Sequence, residues 1–237
     1  MFEGIFSGKT RVLDLAYAIN DKLVPWPGDK RWFEANVNAS VAKDGYFTRS
    51  FWMLEHYGTH LDAPIHFPPG TIPVDEIAVR RFFGMAVVLD VRKEAAEEAD
   101  YQLPAARIDD WEKRHRQIPE GAIVLLRTGW ASRWPDVRRY RNEDTAGRMH
   151  FPGFSVDAVE QLIKRNISGI GCDTMSVDQG SSADFAVHRL ALGSGLYHLE
   201  NLSDLSELPE AGAHLVVAPI KLEGGSGGPV RVFALLP

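Results

Sequence analysis

The chain has 237 residues, 45% of them hydrophobic and 24% charged, which fits a single globular domain over residues 1–237 with a substantial core. Its formal net charge is −6 and its lysines and arginines are scattered, which argues against nucleic acid and favours a small-molecule ligand. Because Cys172 is its one cysteine, an internal disulfide framework and a zinc site of several thiolates are both excluded.

The apolar segments are too short to cross a membrane. The longest runs, at 84–89, 122–126 and 215–220, hold a handful of residues each, whereas a membrane-spanning helix needs roughly 20. Charged side chains interrupt residues 1–19, so no signal-peptide core is visible there. We therefore expect a cytoplasmic protein without a membrane partner, and we interpret the three apolar runs as buried strands.

The first predicted elements are a strand over residues 11–19 and a rigid turn at Pro25-Trp26-Pro27-Gly28-Asp29. Proline and glycine fix the turn around a large aromatic side chain. Trp26 can form a wall or lid against a flat substrate, or it can pack as a plug on the sheet. The local pattern leaves both interpretations open.

A strand predicted over residues 47–54 leads into His56-Tyr57-Gly58-Thr59-His60-Leu61-Asp62-Ala63-Pro64-Ile65-His66. This segment combines three histidines with a carboxylate, the donor groups that bind divalent zinc, manganese or iron. In a strand, the alternation of side chains would place all four groups on one face. The alternative is that the histidines are ordinary hydrogen-bonded side chains and that Asp62 caps a turn.

The spacing of the first two histidines predicts a bend in this segment. Full extension would separate His56 from His60 by roughly 13 Å, the outer limit for two imidazoles that share one ion. Gly58 supplies conformational freedom within that interval, and Pro64 disfavours a central strand position. A bulged or turning strand end is therefore expected, and a helix is not.

Helical and extended patterns alternate through the rest of the chain. The predicted elements cover 73–83 (helix), 85–91 (strand), 103–117 (helix), 121–130 (strand), 154–165 (helix) and 167–172 (strand). Ser155 is the expected cap of the third helix, and Val159 and Leu162 lie on its apolar stripe. Because helices are followed promptly by strands, an α/β fold with a mixed sheet is favoured over an all-β sandwich.

Two further stretches are interpreted from their composition. Residues 132–151 are polar and rich in arginine, and we expect them to cover the active-site mouth or to form a dimer contact. The segment 224–229 is rich in glycine but lacks the lysine and following helix of a phosphate-binding loop, so a flexible turn between strands is expected. His198 and His214 are interpreted as structural.

The pattern His-x-Gly-Thr-His-x-Asp-x-Pro-x-His resembles the signature of the metal-dependent cyclase family, which includes bacterial kynurenine formamidases and isatin hydrolases. The similarity runs from Trp26-Pro27-Gly28-Asp29 through Asp173-Thr174 to Pro229-Val230-Arg231 and is weaker between about 93 and 153. It implies a single α/β domain of the swivelling β/β/α type, with a barrel-like mixed sheet flanked by helices. It also implies a homodimer.

The resemblance also implies a set of site residues. Residues 56–62 offer too few ligands for a well-closed or dinuclear site, so ligands from a second element are needed. His188 and Glu200, twelve positions apart, match a later metal histidine and a bridging glutamate of the family. The implied ligands of one or two divalent ions, zinc first and manganese as the alternative, are His56, His60, Asp62, His188 and Glu200.

The resemblance assigns proton transfer to His66 and a place in the substrate pocket to Trp26. An ordinary histidine pKa of about 6.5 suits acid–base chemistry at neutral pH. A role for His66 as a sixth ligand or as a support for the metal site stays open. Two departures favour a substrate other than formylkynurenine: Arg189 replaces a second histidine, and residues 179–182 lack the expected proline and lysine.

Together, these residues predict a metal-dependent hydrolase that cleaves an amide C–N bond of a small aromatic compound with metal-activated water. The first expectation is an arylformamidase that acts on an N-formyl or cyclic amide. The alternatives are an isatin hydrolase-like enzyme that opens a lactam or lactone, a polyketide-type cyclase, and a non-catalytic binding protein that a metal stabilises.

Overall fold

The computed structural model describes residues 2–236 of the chain. The strands are β1 (Arg11–Asp14), β2 (Phe33–Ala39), β3 (Thr48–Met53), β4 (His60–Asp62), β5 (Phe83–Asp90), β6 (Gln102–Leu103), β7 (Ile123–Arg127), β8 (Gly153–Phe154), β9 (Gly169–Cys172), β10 (Tyr197–Glu200), β11 (His214–Pro219) and β12 (Gly227–Leu236). The α-helices are α1 (Phe2–Phe6), α2 (Val41–Asp44), α3 (Arg92–Glu97), α4 (Ala105–Arg114), α5 (Val137–Arg141), α6 (Val156–Ile163) and α7 (Ala186–Gly193). Short 3-10 turns cover Pro64–His66, Val74–Glu76, Val79–Phe82 and Trp130–Arg133.

The main sheet closes into a barrel. Its strand order is β1-β12-β11-β5-β7-β9-β10-β4, and a further pairing of β4 with β12 joins the ring, leaving β1 as an extension beside β12. The consecutive neighbours β5, β7, β9 and β10 run parallel, whereas the pairings made by β4, β11 and β12 are antiparallel. The predicted α/β fold with a mixed, barrel-like sheet flanked by helices is confirmed.

Side-chain alternation divides the apolar residues between two cores. On β5, Ala86 and Val88 point into the barrel, whereas Val87 and Leu89 face the helices outside it. Strand β7 divides its residues in the same way, with Leu125 in the inner core. Strands buried on both faces read as continuous apolar runs, as the runs at 84–89 and 122–126 do.

The helix that follows β8 forms as predicted. The Ser155 hydroxyl accepts a hydrogen bond from the amide of Ala158, which caps the first turn of α6. Val159 and Leu162 are buried in the outer core. Within residues 2–236, no helix is both long enough and apolar enough to cross a bilayer.

Two predicted element boundaries are wrong. The helix expected over 73–83 is replaced by two 3-10 turns, because the backbone is extended at Ile77 and Ala78, with ψ values of 124° and 122°. The amide of Val74, ahead of this interruption, donates to the carbonyl of Gly225. The strand expected over 11–19 ends at Asp14. Beyond it, the amide of Tyr17 donates to the hydroxyl of Thr59, so the chain leaves the sheet.

Strands β2 and β3 form a separate two-stranded ribbon beside the barrel. Their register places Ala35 opposite Phe51 and Val37 opposite Arg49, so these residues share one face of the ribbon. Val37 is 62% exposed and Phe51 is 63% exposed, which makes this face unusually apolar for a surface. The ribbon ends at Met53, immediately before the residues that reach the central cavity.

Candidate metal centre

Two neighbouring barrel strands present four metal-binding types of side chain on one face. His60 and Asp62 alternate along β4, and His198 and Glu200 alternate along β10. Antiparallel pairing places His60 opposite Glu200 and Asp62 opposite His198. The intervening Leu199 points into the barrel core, so the four polar groups face outward from the barrel.

The residues on either side of β4 turn back toward the same point. His56 precedes a bend at Gly58, where the backbone φ is +69°, and His66 ends the 3-10 turn after the strand. His56 Nδ1 lies 2.7 Å from Asp62 Oδ1. The rings of His56 and His66 stack with their centroids 3.9 Å apart. The predicted bend is therefore present, and only residues 60–62 of the segment are a strand.

Helix α7 supplies His188, which is held by a buried carboxylate. Asp178 accepts hydrogen bonds from the amides of Val187 and His188 and, at 2.6 Å, from His188 Nδ1. This leaves His188 Nε2 facing Asp62 Oδ2 at 3.4 Å and Glu200 Oε1 at 3.3 Å. Sequence analysis predicted neither α7 nor the part played by Asp178, because an aspartate ten residues before a histidine forms no recognisable local pattern.

The structure brings together all five predicted metal ligands and His66. His60 Nε2 lies 3.2 Å from Asp62 Oδ1 and 3.5 Å from Glu200 Oε2. The donor atoms form two groups that share Asp62, and within each group all the atoms lie within 4.8 Å of one another. One group contains Asp62, His188, His198 and Glu200, and the other contains His56, Asp62 and His66.

Opposite charges shift the pKa values of the central groups. Burial alone would raise the pKa of the Asp62 carboxyl, but His56 and His60 hold it well below its usual range. Burial alone would lower the pKa of His60, but the Asp62 and Glu200 carboxylates raise it to about 9. Without an ion, the site therefore holds a proton that a metal must displace.

Buried atoms without partners show that these residues fit a metal ion. Asp62 Oδ2 and both ring nitrogens of His198 have no hydrogen-bond partner among the described residues. Buried polar atoms are nearly always paired, so such a cluster calls for a further group. Imidazole nitrogens and carboxylate oxygens are the donor set of zinc and manganese sites, and a divalent cation beside Asp62 would satisfy Asp62 Oδ2 and one ring nitrogen of His198.

His198, interpreted from the sequence as structural, lies among the ligand-type groups, with its ring centroid 4.7 Å from that of His188. His198 and Glu200 are two residues apart on β10 and therefore share a face of the sheet.

A cavity of about 450 Å³ opens onto these groups. Three aromatic side chains line it, with the centroid of Phe185 6.1 Å from that of Trp26 and 5.6 Å from that of Phe67. The lining combines these polar groups with apolar and aromatic walls, the usual form of a small-molecule site. Trp26 is among the residues that line this cavity, and its part in substrate binding stays a prediction.

Residues 132–151 support this wall from behind. Tyr140 and Met149 are buried in a small core with Val24, against which Trp26 packs. The guanidinium of Arg141 donates hydrogen bonds to the carbonyl of Pro25. No residue of 132–151 is among those that line the cavity in the described part of the chain. Residues 132–151 therefore contact the pocket wall indirectly, by packing against and hydrogen-bonding to residues 24–26.

The glycine-rich segment is a close-packed part of the site. Ser226 Oγ lies 2.8 Å from His56 Nε2 and donates to Glu55 Oε2 at 2.6 Å. A Cβ atom on Gly227 would lie 2.4 Å from the carbonyl oxygen of Leu61 and 2.7 Å from Cε1 of His56. The expectation of a merely flexible turn is therefore wrong, because β12 begins here and pairs with β4.

Comparison with known proteins identifies relatives along nearly the whole chain. The family model described as "Putative cyclase" matches residues 13–179. An isatin hydrolase of Roseibium aggregatum is 37% identical over 249 residues, which cover 98% of this chain and 94% of that protein. A kynurenine formamidase of Bacillus thuringiensis is 28% identical over 223 residues, covering 92% of this chain and 94% of that protein.

A solved structure has the same architecture. The crystal structure of an isatin hydrolase bound to the product analogue thioisatinate matches with a TM-score of 0.92 and 30% sequence identity. The match covers 100% of this chain and 96% of that one.

Proposed function

The chain belongs to the cyclase family, and we propose that it is a metal-dependent hydrolase that cleaves the amide C–N bond of a small aromatic compound. The observation that carries this proposal is the convergence of histidines and carboxylates around Asp62 at one end of an aromatic-walled cavity. Both named relatives are hydrolytic enzymes of this family, and each is similar to this chain over more than nine-tenths of its length.

A cyclic amide of the isatin type is the first candidate substrate. The isatin hydrolase relative is 37% identical, compared with 28% for the kynurenine formamidase. A cavity of about 450 Å³ with aromatic walls suits a fused ring of that size. The second candidate is an N-formyl aromatic amine, which the kynurenine formamidase relative supports.

We propose that the ion is held by side chains from β4, α7, β10 and the bend before β4, and that it is zinc or, as the alternative, manganese. Its proposed ligands are His56, His60, Asp62, His188 and Glu200. When bound, a divalent ion lowers the pKa of a water molecule and polarises a carbonyl group. The two donor groups that share Asp62 would accommodate one or two ions.

His66 is the proposed proton carrier. Burial lowers its pKa to about 4; the Asp62 carboxylate opposes this shift, and the nearby imidazoles of His56 and His188 add to it. Its imidazole is therefore neutral near pH 7 and can accept a proton from the attacking water. Delivery of that proton to the departing nitrogen completes cleavage of the amide. Because His66 also lies within ligand distance of Asp62, the test of its role must separate metal binding from turnover.

Asp178 and the aromatic walls have supporting parts in this proposal. The carboxylate of Asp178 fixes His188 with Nδ1 as the donor, so Nε2 is the nitrogen left for an ion. Trp26 and Phe185 can form an aromatic wall against a flat ring, and its carbonyl can then face the histidines and carboxylates. Such positioning shortens the approach of the reacting atoms.

We also propose that the protein is a homodimer that acts on its small-molecule substrate in the cytoplasm. The exposed apolar face of the β2–β3 ribbon supports a protein contact. The buried free thiol of Cys172 is compatible with a reducing compartment.

A side-by-side assay of isatin and N-formylkynurenine tests the proposed substrate. The protein is supplied with zinc or manganese, and kcat/KM is measured for each compound, with Asp62→Asn as the inactive control. We expect hydrolysis of isatin with a kcat/KM at least roughly tenfold higher, a difference of about 1.4 kcal/mol in the barrier. A preference for N-formylkynurenine would support the second candidate, and hydrolysis of neither compound would contradict both substrate assignments.

A further inference from the structure

We propose that His198 is a further metal ligand, binding through Nδ1 to the ion that Asp62, His188 and Glu200 hold. This inference rests on the proposed metal-dependent function and adds a residue that lies outside the sequence motif. It changes the predicted donor set of that ion to two imidazoles and two carboxylates.

The position of His198 is fixed by the barrel. Residue 198 lies on β10 between two neighbours, paired with Asp62 on β4 and with Ile170 on β9. Because Glu200 is two residues away on the same strand, its side chain leaves the sheet on the same face as that of His198. The ring of His198 is therefore directed at Asp62 by strand pairing, without any loop.

The surroundings of His198 leave its nitrogens without partners. Its exposure is 0%, and neither ring nitrogen has a hydrogen-bond partner among the described residues. Burial of an imidazole in this state is unfavourable, because both polar nitrogens lose their contacts with water. The facing oxygen, Asp62 Oδ2, is also buried and without a partner.

The distance between these two groups favours an ion over a direct hydrogen bond. His198 Nδ1 lies 3.5 Å from Asp62 Oδ2. An N–H···O hydrogen bond normally spans roughly 2.7–3.2 Å. Two ligand atoms that each lie about 2.1 Å from one zinc ion can be separated by any distance up to roughly 4.2 Å. The pair is thus too far apart for a good hydrogen bond and close enough to share a cation.

His188 approaches the same point from the other side. Its Nε2 lies 3.4 Å from Asp62 Oδ2, the same oxygen that faces His198. The two imidazole rings meet edge to face, with an interplanar angle of 86°. This arrangement lets one nitrogen from each ring point at a common position beside Asp62, as two ligands of one ion require.

The competing explanation is that His198 only orients Asp62. Loss of such an outer partner usually weakens metal binding by roughly 10- to 100-fold without a change in coordination. Loss of a ligand removes a donor atom, so the affinity falls further and the coordination changes. The two explanations therefore differ in the size of the affinity change and in the spectrum of the bound metal.

The experiment titrates metal-depleted protein with Co²⁺ and with Zn²⁺. His198→Phe keeps a ring of similar size and removes both nitrogens, and His214→Phe on β11 is the matched control away from the cavity. We expect His198→Phe to weaken binding by more than roughly 100-fold or to abolish binding of one ion, and to change the visible absorption of Co²⁺. His214→Phe should match the unmodified protein. An unchanged spectrum with a smaller loss of affinity would overturn the assignment of His198 as a ligand.

A measurement on the unmodified chain covers the case in which His198→Phe does not fold. Protein labelled with ¹⁵N-histidine is titrated with Zn²⁺ and followed by NMR. We expect the Nδ1 resonance of His198 to move together with those of the other ligands. Movement of the others without His198 would overturn the inference alone, whereas an unmodified chain that binds neither Co²⁺ nor Zn²⁺ would contradict the proposed function itself.

Discussion

Asp62 is the residue at which separate parts of the chain meet. Its carboxylate faces His56 and His60 from its own segment, His188 from α7 and His198 from β10. The nearby imidazoles keep the pKa of this buried carboxyl low, although burial opposes that shift. An ionised carboxylate surrounded by imidazoles has the charge and the donor atoms that a divalent cation needs.

Substitution of the two histidines on either side of Asp62 should have different effects. We expect His66→Ala to retain the metal but to lose roughly 10²- to 10⁴-fold in turnover, the usual contribution of a general acid–base group. His60→Ala should lose both the metal and the activity, because it removes a proposed ligand. Metal content by elemental analysis and single-turnover rates on the same samples provide the comparison.

His115→Ala is a suitable control for both variants, since His115 lies just beyond α4 and contacts Glu210, outside the cavity lining. His115→Ala should retain both its bound metal and its activity. If His66→Ala also lost its metal, His66 would be a ligand. If both His66→Ala and His60→Ala kept metal and activity, the proposed roles would be wrong.

Metal binding should depend on pH through His60. Because neighbouring carboxylates raise its pKa to about 9, the ring is protonated at pH 7 when no ion is bound, and a metal can bind only its neutral form. Affinity should therefore rise between pH 7 and 9, by up to roughly tenfold per pH unit for one displaced proton. Calorimetric titration in buffers of different ionisation enthalpy measures the released protons, and an affinity independent of pH in this range would contradict the shift.

At the level of elements, the parts of the fold that depend on local pattern could be predicted. The cap and apolar stripe of α6, the buried core strands and the bend at Gly58 all follow from neighbouring residues. The helix predicted over 73–83 is interrupted by extended backbone at Ile77 and Ala78, and the amide of Val74 before it donates to Gly225, a residue about 150 positions away. Hydrogen bonds over such a distance leave no trace in a short window of sequence.

The candidate site is divided in the same way, between residues that form a local motif and residues that distant parts of the chain bring together. The residues from 56 to 66 form a dense motif, and His188 and Glu200 could be identified only through resemblance to a family. The contacts of Asp178 and of His198 could not be predicted from the sequence, for different reasons. Asp178 acts through the fold of the loop before α7, whereas the place of His198 depends on the register of β10 against β4. The catalytic and ligand roles of all these residues remain predictions.

The start of β12 provides a prediction about an element that supports the site. The hydroxyl of Ser226 links His56 Nε2 to the carboxylate of Glu55, which leaves His56 Nδ1 facing Asp62. We expect Ser226→Ala to weaken metal binding by roughly 10- to 100-fold, as loss of an outer partner of a ligand does. Glu55→Gln should have a smaller effect, because its amide oxygen can still accept from Ser226.

The close approach of Gly227 to β4 can be tested alongside Ser226→Ala. Gly227→Ala should reduce both stability and metal affinity, because its Cβ would lie 2.4 Å from a backbone oxygen of β4. Gly193→Ala is the control, since its Cβ would meet no atom closer than 3.9 Å. Thermal unfolding and metal titration measure the two effects. Normal metal affinity in both Ser226→Ala and Gly227→Ala would show that this segment does not position His56.

In the whole molecule, the strand that closes the barrel also carries proposed metal ligands. Strand β4 has only three residues, yet it pairs with both β10 and β12 and so closes the ring. Two of its three residues, His60 and Asp62, are proposed metal ligands. An ion that binds only the folded chain would stabilise it, by about 4 kcal/mol at a free concentration of 1,000 times Kd.

The β2–β3 ribbon gives a prediction about assembly. Phe33 and Phe51 stack on the same face that carries exposed Val37, and such a face is costly to leave in water. We expect light scattering to show a dimer, and Phe51→Lys to shift it toward the monomer. Arg49→Lys, on the same face, should leave the dimer intact. A monomer at micromolar concentration without any substitution would contradict the homodimer proposal.

Metal depletion and restoration tests the central claim most directly. The protein is stripped with a chelator, shown to remain folded by circular dichroism, and assayed for isatin hydrolysis before and after Zn²⁺ or Mn²⁺ is added back. We expect activity to disappear on depletion and to return in proportion to the metal bound, whereas Asp62→Asn should recover neither metal nor activity. Full activity of the depleted protein, or of Asp62→Asn, would show that catalysis does not need the ion.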